Sequence, residues 1–176
     1  HSFEPNPLIF PFLKKNLTKI IKNLSLYNYA LSNHYGSTEL RIPIRSKVFF
    51  KSNYEELYKL GAASIHTNNT FDKYHSIKVE KKKLDDILPN KKIGFIKIDV
   101  EGHEKEVIEG ALNIIKKNRP VLLVEIEERH SKNKVTDTIN YINKLGYSSF
   151  YLSNNEFLET KNLNNNKINN FIFISQ

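Results

Sequence analysis

The sequence predicts an α/β fold with a largely parallel sheet, in one domain over residues 1–176. Two observations carry this prediction. Residues 93–127 contain two apolar, β-branched runs on either side of an amphipathic helical pattern, which is typical of a βαβ unit. Elsewhere, strand-like and helix-like apolar patterns follow one another along the chain, as they do in α/β domains. A chain of 176 residues is long enough to bury one sizeable core.

The first strand of this unit, residues 93–98, ends in a turn that is abruptly acidic. Asp99, Glu101 and His103 fall within five residues there. In parallel sheets, ligands bind outside the carboxyl ends of the strands, so these side chains are candidate functional groups. Each could instead be a helix-start charge or a solvated surface group.

A helix and a second strand complete the unit. Apolar residues recur at helical spacing over residues 107–115, with acidic residues ahead of them and lysines behind, and Pro120 ends the helix. The second strand, residues 121–127, is expected to lie parallel to the first. It would bring a second polar group to the same edge: Glu125, Glu127 and His130.

The amino-terminal part predicts a strand ending at Phe3 and then a helix. Asn6 and Pro7 supply an N-cap and a first-turn proline for that helix, whose apolar face continues to Ile21. Glu4 stands between the two elements. A carboxylate at this point can bind the hydroxyls of a ribose, or it can be a simple helix-start charge.

The following elements are predicted from short apolar patterns. Residues 24–31 predict a strand, and Leu40 and Ile42 lie on one face of the next, which Pro43 places at a sheet edge. Residues 45–75 are irregular, with a short strand possible at 62–66, and a segment of this kind is often a substrate loop. A strand at 77–79 then leads to a short helix at 84–88.

Beyond the βαβ unit, one helix and two strands close the chain. Residues 135–145 carry helical periodicity, and Gly146 ends this helix. Residues 147–152 and 171–175 are the last two predicted strands.

Composition excludes several classes of site. With no cysteine, the chain has no disulfide framework, thiolate metal site or cysteine nucleophile. No apolar run approaches the length of a membrane span, and no signal-peptide pattern opens the chain. We therefore expect a cytoplasmic protein.

The net charge of +8 does not by itself indicate a nucleic-acid partner. Only four of the 27 basic residues are arginine, and abundant Lys, Ile and Asn are typical of an AT-rich genome. The lysine clusters at 81–83 and 91–92 lack interleaved aromatic residues, as solvated faces do. We therefore expect no nucleic-acid binding.

Several motifs together resemble the FkbM family of S-adenosylmethionine-dependent methyltransferases. The block from Ile96 to Glu104, Lys-Ile-Asp-Val-Glu-Gly-His-Glu after its first isoleucine, is the most specific of them. The others match in order and spacing over nearly the whole chain: Phe3-Glu4-Pro5-Asn6-Pro7, Asn28, Ala30-Leu31-Ser32, Gly36, Ala63-Ser64-Ile65, Leu84-Asp85-Asp86, Gly110-Ala111 and Arg119-Pro120.

The resemblance implies a Rossmann-like methyltransferase fold, with a mostly parallel sheet and one antiparallel strand near the carboxyl terminus. It implies that Glu4 binds the ribose of S-adenosylmethionine and that the segment from Asn28 to Ala30 lies near the adenine. Asp99 and Glu101 would lie beside the methyl donor and the acceptor. Enzymes of this type usually methylate an oxygen of a sugar or a natural product, so a small-molecule or glycan acceptor is expected.

The resemblance also implies a first strand that ends in a glycine-rich turn, and none of the six glycines stands in such a motif. That strand would lie between the strands ending at Phe3 and at Asp99. We therefore expect a domain whose first strand is missing, and weak or no cofactor binding by residues 1–176.

In the implied reaction a base takes the proton of the acceptor hydroxyl as the methyl group is transferred. Asp99 or Glu101 is the first candidate for this base. His103 is the second, because imidazole ordinarily titrates near neutral pH.

Two other functions are compatible with parts of the sequence. Asp99, Glu101, His103 and Glu104 could bind a hard metal ion for hydrolysis, although adjacent residues rarely all reach one ion. We expect no metal site for that reason. A degenerate domain that only binds a partner or glycan through its lysine-rich surface is the second alternative.

Overall fold

The computed structural model describes residues 1–43, 63–65, 74–127, 135–163 and 168–176. Its strands are β1 (Ser2–Phe3), β2 (Leu26–Tyr27), β3 (Ala30–Leu31), β4 (Gly36–Pro43), β5 (Tyr74–Lys82), β6 (Phe95–Ile98), β7 (Val121–Glu125), β8 (Tyr147–Ser153), β9 (Glu156–Glu159) and β10 (Asn170–Ser175). Its α-helices are α1 (Phe10–Ile20), α2 (Leu84–Ile87), α3 (Glu104–Glu109), α4 (Leu112–Asn118) and α5 (Val135–Lys144).

The predicted βαβ unit is present. Strands β6 and β7 pair in parallel, with Ile96 opposite Leu122 and Ile98 opposite Val124, and helices α3 and α4 form the crossover. The turn after β6 begins at Asp99, as predicted. The carboxyl ends of the two strands therefore meet at one edge of the sheet.

The described strands form three mixed sheets, so the expected largely parallel sheet is not confirmed. Their orders are β1-β2, β3-β5-β4 and β6-β7-β10-β8-β9. Among the described strands, three pairs are parallel and four are antiparallel. The expected antiparallel strand near the carboxyl terminus is β10, which lies between β7 and β8 and runs opposite to both. The pair β4-β5 and the hairpin β8-β9 are the other two antiparallel pairs.

The main core lies between the helices and one face of the five-stranded sheet. Alternate residues of β7 and β10, such as Leu122 and Phe171, are fully buried there against Ile108 and Ile115 of the crossover and Ile142 of α5. The other sheet face is more open: Phe95, Leu152 and Ile174 are 57%, 55% and 47% exposed. A smaller cluster, Leu40, Ile42 and Val79, packs within the β4-β5 sheet.

The predicted crossover helix is two helices, with a break at Gly110 and Ala111. The Gly110 carbonyl accepts a hydrogen bond from the Asp85 backbone N–H at 3.0 Å. The Asp85 carboxylate also accepts the N–H groups of Asn113 and Ile114, at 3.0 and 2.9 Å. Asp85 thus caps α4 from a distant part of the chain, which periodicity cannot reveal.

The segment expected as one strand over 24–31 is divided between two sheets. Strand β2 pairs with β1 and β3 pairs with β5, both in parallel. The chain leaves one sheet and enters another at Asn28 and Tyr29, which a local apolar pattern does not report. Strand β4 lies at a sheet edge, as Pro43 predicted.

Other predicted boundaries differ at both ends of the chain. Asn6 caps a turn, through Leu8 N–H to Asn6 Oδ1 at 3.0 Å, and α1 begins only at Phe10. Helix α1, described throughout, has no fully buried residue, and Ile20 is 77% exposed. At the carboxyl end there are three strands where two were predicted, because Asn154 and Asn155 turn left-handed (φ 48° and 64°) into β9. Of residues 45–75, only 63–65 and 74–75 are described.

Arg119, which belongs to a predicted motif, and Gly146, the predicted end of a helix, contact each other across two loops. Arg119 is left-handed (φ 50°), and its guanidinium donates to the carbonyls of Leu145 and Gly146 while stacking on Tyr147. Gly146 is left-handed as well (φ 85°), in agreement with its predicted role at the end of α5. These contacts join the loop before β7 to the loop before β8.

Candidate active site

A cavity of about 560 Å³ lies beside the carboxyl ends of β3 and β6. Residues of β1, the turn at Glu4 and Pro5, Tyr29 and Ala30 line one part, and residues 95–101 line another. Its apolar floor includes Leu84, Val107 and Ile115. The cavity therefore brings together two regions that the sequence assigned to one site.

Two incompletely paired strands line this cavity. Within the described ranges, β1 pairs only with β2, and β6 pairs only with β7. Each strand consequently has a second edge without a described neighbour. This arrangement leaves room for an extended segment between β1 and β6, where the sequence predicted a missing strand, and that strand stays a prediction.

Asp99 is the first residue after β6 and lines the cavity. Its side chain is 45% exposed and accepts a hydrogen bond from Lys97 Nζ at 2.6 Å. The same contact is an ion pair, and it directs one carboxylate oxygen towards Lys97. Asp99 can still meet a ligand from the solvent side.

Glu101 also lines the cavity, in a left-handed backbone conformation with φ 52°. Its carbonyl oxygen accepts a hydrogen bond from Ser64 Oγ at 2.9 Å. The next residue, Gly102, is left-handed too (φ 97°) and donates its N–H to Glu104 Oε1 at 2.7 Å. A non-glycine residue with positive φ at a cavity wall is a common feature of functional sites.

His103 is buried and lines the cavity beneath the acidic turn. Its Nε2 atom lies 3.0 Å from Ser32 Oγ, and its Nδ1 atom lies 3.6 Å from Glu106 Oε2. Ser32 follows β3, so the imidazole connects the ends of two different sheets. This is a more constrained position than the solvated histidine that the sequence left open.

Glu104 differs from an ordinary helix-start charge because only 3% of it is exposed. Burial raises the pKa of its carboxyl group to about 7, although the hydrogen bond from Gly102 N–H opposes the rise. The nearby charges of Glu106 and Glu101 raise that pKa further. Near neutral pH this group can therefore exchange a proton with little free-energy cost.

Glu125 and Glu127 lie at the end of the neighbouring strand, as predicted. Asn169 Nδ2 donates to both carboxylates at 3.0 Å. Burial, followed by the charges of Asp99 and Glu127, raises the pKa of Glu125. The mutual repulsion indicates one acidic edge that includes Asp99. His130, the remaining candidate for this edge, lies outside the described residues.

Glu4 is half-buried in the cavity lining. Burial raises the pKa of its carboxyl group, and the hydrogen bond from Asn6 N–H to Oε1, at 2.7 Å, opposes that rise. Ala30 is buried in the same lining, with Tyr29 beside it. Asn28 is exposed and instead donates to the carbonyls of Glu4 and Pro5, at 2.8 and 3.2 Å. Asn28 thus braces the Glu4 turn.

Ser32 and Ser64 were not recognised from the sequence as site residues. Both are fully buried. Ser64 Oγ donates to the Glu101 carbonyl, and Ser32 Oγ shares a hydrogen bond with His103 Nε2. The available signal was weak: one serine stands next to apolar neighbours in Ala30-Leu31-Ser32 and the other in Ala63-Ser64-Ile65. Such a buried hydroxyl needs a partner, but the sequence does not identify it.

The described part of the chain has neither a cluster suited to a metal ion nor a helix suited to a membrane span. No group of three or more His, Asp and Glu side chains there is arranged to hold a metal ion. Within the same ranges, no helix combines the length and apolar composition needed to cross a bilayer.

Comparison with known proteins gives one family and one solved structure. Residues 1–149 match the family model described as the methyltransferase FkbM domain. The fold resembles the crystal structure of methyltransferase FkbM from Methylobacillus flagellatus KT, with a TM-score of 0.56 and 16% sequence identity. The match covers 98% of this chain and 35% of that one, so the chain spans about a third of its length. No curated protein sequence matches the chain.

Proposed function

Because the chain belongs to the FkbM methyltransferase family, we propose that its cavity contributes to binding S-adenosylmethionine and to methylating a hydroxyl group of a small-molecule or glycan acceptor. One observation carries the proposal. Glu4, at the end of one strand, and Asp99 and Glu101, at the end of another, line the same cavity. Methyl transfer is accelerated when cofactor and acceptor are held together in one geometry, and these groups converge on one cavity.

The residues that follow β1 and β2 fit the ribose and adenine of this cofactor. Glu4 is a half-buried carboxyl group with one oxygen bound to Asn6 N–H, and a carboxylate at a strand end commonly binds ribose hydroxyls. Tyr29 and Ala30 would form the wall near the adenine. Asn28 stabilises the Glu4 turn by donating to the Glu4 carbonyl.

When bound, S-adenosylmethionine supplies a methyl group on a sulfonium, which is already a strong methyl donor. The main task of the protein is therefore to align the acceptor oxygen with that group. A hydroxyl is a weak nucleophile at neutral pH, and a carboxylate within hydrogen-bonding distance strengthens it by taking its proton.

We assign the base to Glu101 ahead of Asp99 and His103. Glu101 lines the cavity in a left-handed backbone conformation. Hydrogen bonds from Ser64 and to Glu104 hold the peptide that follows it. Asp99 lines the cavity too, and Lys97 Nζ lies 2.6 Å from its Oδ2, an arrangement suited to orienting an acceptor hydroxyl. The His103 imidazole is buried against Ser32, which favours a structural role in supporting the turn.

The charge around the site favours a neutral or polyhydroxylated acceptor over a nucleic acid. Asp99, Glu125 and Glu127 form an acidic edge, because Asp99 and Glu125 follow the paired residues Ile98 and Val124, and Asn169 contacts both glutamates. Such an edge repels phosphate groups, although the whole chain is basic.

Calorimetric titration with S-adenosylhomocysteine tests the proposal. We expect weak or no binding by residues 1–176, and binding by a longer chain that includes whatever is encoded ahead of His1. In the longer chain, Glu4→Gln should weaken binding by about tenfold, as loss of a charged hydrogen-bond acceptor does.

A methyl-transfer assay then tests the reaction. The longer chain is incubated with methyl-labelled S-adenosylmethionine and a panel of mono- and oligosaccharides, and label in the sugar is measured. Absence of both binding and transfer would contradict the proposal and favour a non-catalytic glycan-binding domain, which direct sugar titration would detect.

A further inference from the structure

The peptide unit between Glu101 and Gly102 is hydrogen-bonded at both of its polar atoms. Its carbonyl oxygen accepts from Ser64 Oγ at 2.9 Å, and its N–H donates to Glu104 Oε1 at 2.7 Å. Both partners are buried, with 0% and 3% of their surfaces exposed. The plane of this peptide is therefore set from two sides by side chains that lie outside the turn.

This peptide needs support because of its backbone conformation. Glu101 has φ 52°, and the left-handed region is unfavourable for residues that carry a Cβ atom. A residue stays there only where its surroundings offset the cost. Two hydrogen bonds, one buried and one partly buried, supply that offset, since a buried polar atom without a partner would be costly.

The two partners are themselves fixed by different elements. Glu104 is the first residue of α3. Ser64 is paired through its backbone with Arg41 of β4, with N···O distances of 2.8 and 3.0 Å. Through Ser64, the direction of the Glu101 side chain therefore depends on the sheet that contains β4 and β5. The position of Asp99 depends on β6, which it directly follows.

We propose that Ser64 and Glu104 are positioning residues, which hold the Glu101–Gly102 peptide so that the Glu101 carboxylate faces the cavity before any ligand binds. The catalytic part of this inference rests on the proposed function. The peptide clamp itself is a property of the ligand-free chain and is measurable without cofactor or acceptor.

Hydrogen exchange of the Gly102 amide, followed by NMR, tests the clamp in the 176-residue chain. We expect at least about tenfold faster exchange in Ser64→Ala and in Glu104→Leu, because each removes one of the two bonds that hold this peptide. Glu104→Gln keeps an acceptor oxygen and should stay within about twofold of wild type. Ser149→Ala, another buried serine distant in sequence, is the matched control.

The amides of β7 report whether each variant keeps its fold. Equal Gly102 exchange rates in wild type, Ser64→Ala and Glu104→Leu, with β7 still protected, would overturn the clamp. If both variants lose β7 protection, the thermal midpoint of Glu101→Gly is the deciding measurement. Glycine adopts the left-handed conformation without the cost of a Cβ atom, so the midpoint of Glu101→Gly should exceed those of wild type and Glu101→Ala. A lower midpoint than wild type would overturn the inference.

The catalytic part is tested in the methyl-transfer assay with the sugar panel. Ser64→Ala should lower kcat by about tenfold or more and leave the KM for S-adenosylmethionine unchanged, because alignment of the base is lost while cofactor contacts remain. An unchanged kcat would overturn the positioning role. If wild type transfers no label while the Gly102 results hold, the proposed function fails and the clamp stands.

Discussion

Gly110 packs directly against the backbone carbonyl of Ser32, at a distance that leaves no room for a Cβ atom. The contact joins the end of β3 to the break between α3 and α4. It is reinforced by Asn33 Nδ2, which donates to Glu109 Oε2 at 2.7 Å. The end of β3 is therefore held against the crossover helices by a contact that only glycine permits.

The first prediction is that Gly110→Ala destabilises the chain by about 2–4 kcal/mol, since the added methyl group meets backbone atoms that cannot rotate away. Urea denaturation measures the effect. Gly94→Ala is the matched control, because no atom lies within 4 Å of its added Cβ and little change is expected. Equal stabilities for the two variants would contradict the close approach.

The second prediction concerns Asp85, which caps α4 with both carboxylate oxygens. Asp85→Ala should lower the free energy of unfolding by about 1–2 kcal/mol, as loss of a helix cap does. The stability of Asp85→Asn should lie between those of wild type and Asp85→Ala, because its amide offers one acceptor oxygen where the carboxylate offers two. Asp86→Ala, next to it and exposed, should change stability by less than about 0.5 kcal/mol.

The third prediction is a pH dependence of stability that comes from Glu104. Its carboxyl pKa rises from an ordinary 4.5 to about 7 on folding, so the folded chain binds this proton more tightly than the unfolded chain does. Stability from this group is therefore present at pH 4.5 and below, and is lost as the pH rises through 7. Over pH 5 to 8 the loss should be about 1–3 kcal/mol.

Glu104→Gln removes this titration while keeping an acceptor for Gly102 N–H. We expect its advantage over wild type to grow from pH 5 to pH 8 in urea denaturation. Glu156→Gln, at an exposed position in β9, is the control. A constant difference between Glu104→Gln and wild type across that range would show that Glu104 does not titrate there.

The fourth prediction orders the three candidate catalytic residues in the methyl-transfer assay. Glu101→Gln should lower kcat most, by about 100-fold or more, because a general base contributes on that scale. Asp99→Asn should lower turnover less while sparing the fold, and His103→Gln should also reduce stability because a buried contact to Ser32 changes. Unchanged activity in Asp99→Asn would remove Asp99 from the reaction, and unchanged activity in Glu101→Gln would remove Glu101.

The βαβ unit was predictable because its signals are local. Apolar alternation over residues 121–125, helical spacing over 107–115 and the acidic turn at Asp99 all lie within a few residues of one another. The family could be recognised for the same reason, since the block from Ile96 to Glu104 is continuous. The roles of Asp99, Glu101, His103, Glu4, Asn28 and Ala30 stay predictions.

The break at Gly110 and the division of residues 24–31 could not be predicted in this way. Each results from a partner that is distant in the chain: Ser32 and Asp85 for the helix break, and β1 and β5 for the two strands. The mixed sheet has a similar cause, since β10, at the end of the chain, lies between two strands that precede it, β7 and β8.

By itself, then, the sequence determined the strand-helix-strand unit, the acidic turn at its centre and the family, because periodicity, caps and motif spacing act over short distances. Only the tertiary structure decided which groups support that turn. Ser64 lies 37 residues from Glu101, and Ser32 lies 71 residues from His103. Hydrogen bonds over such separations are set by how the sheets pack against one another, and no local pattern in the chain encodes them.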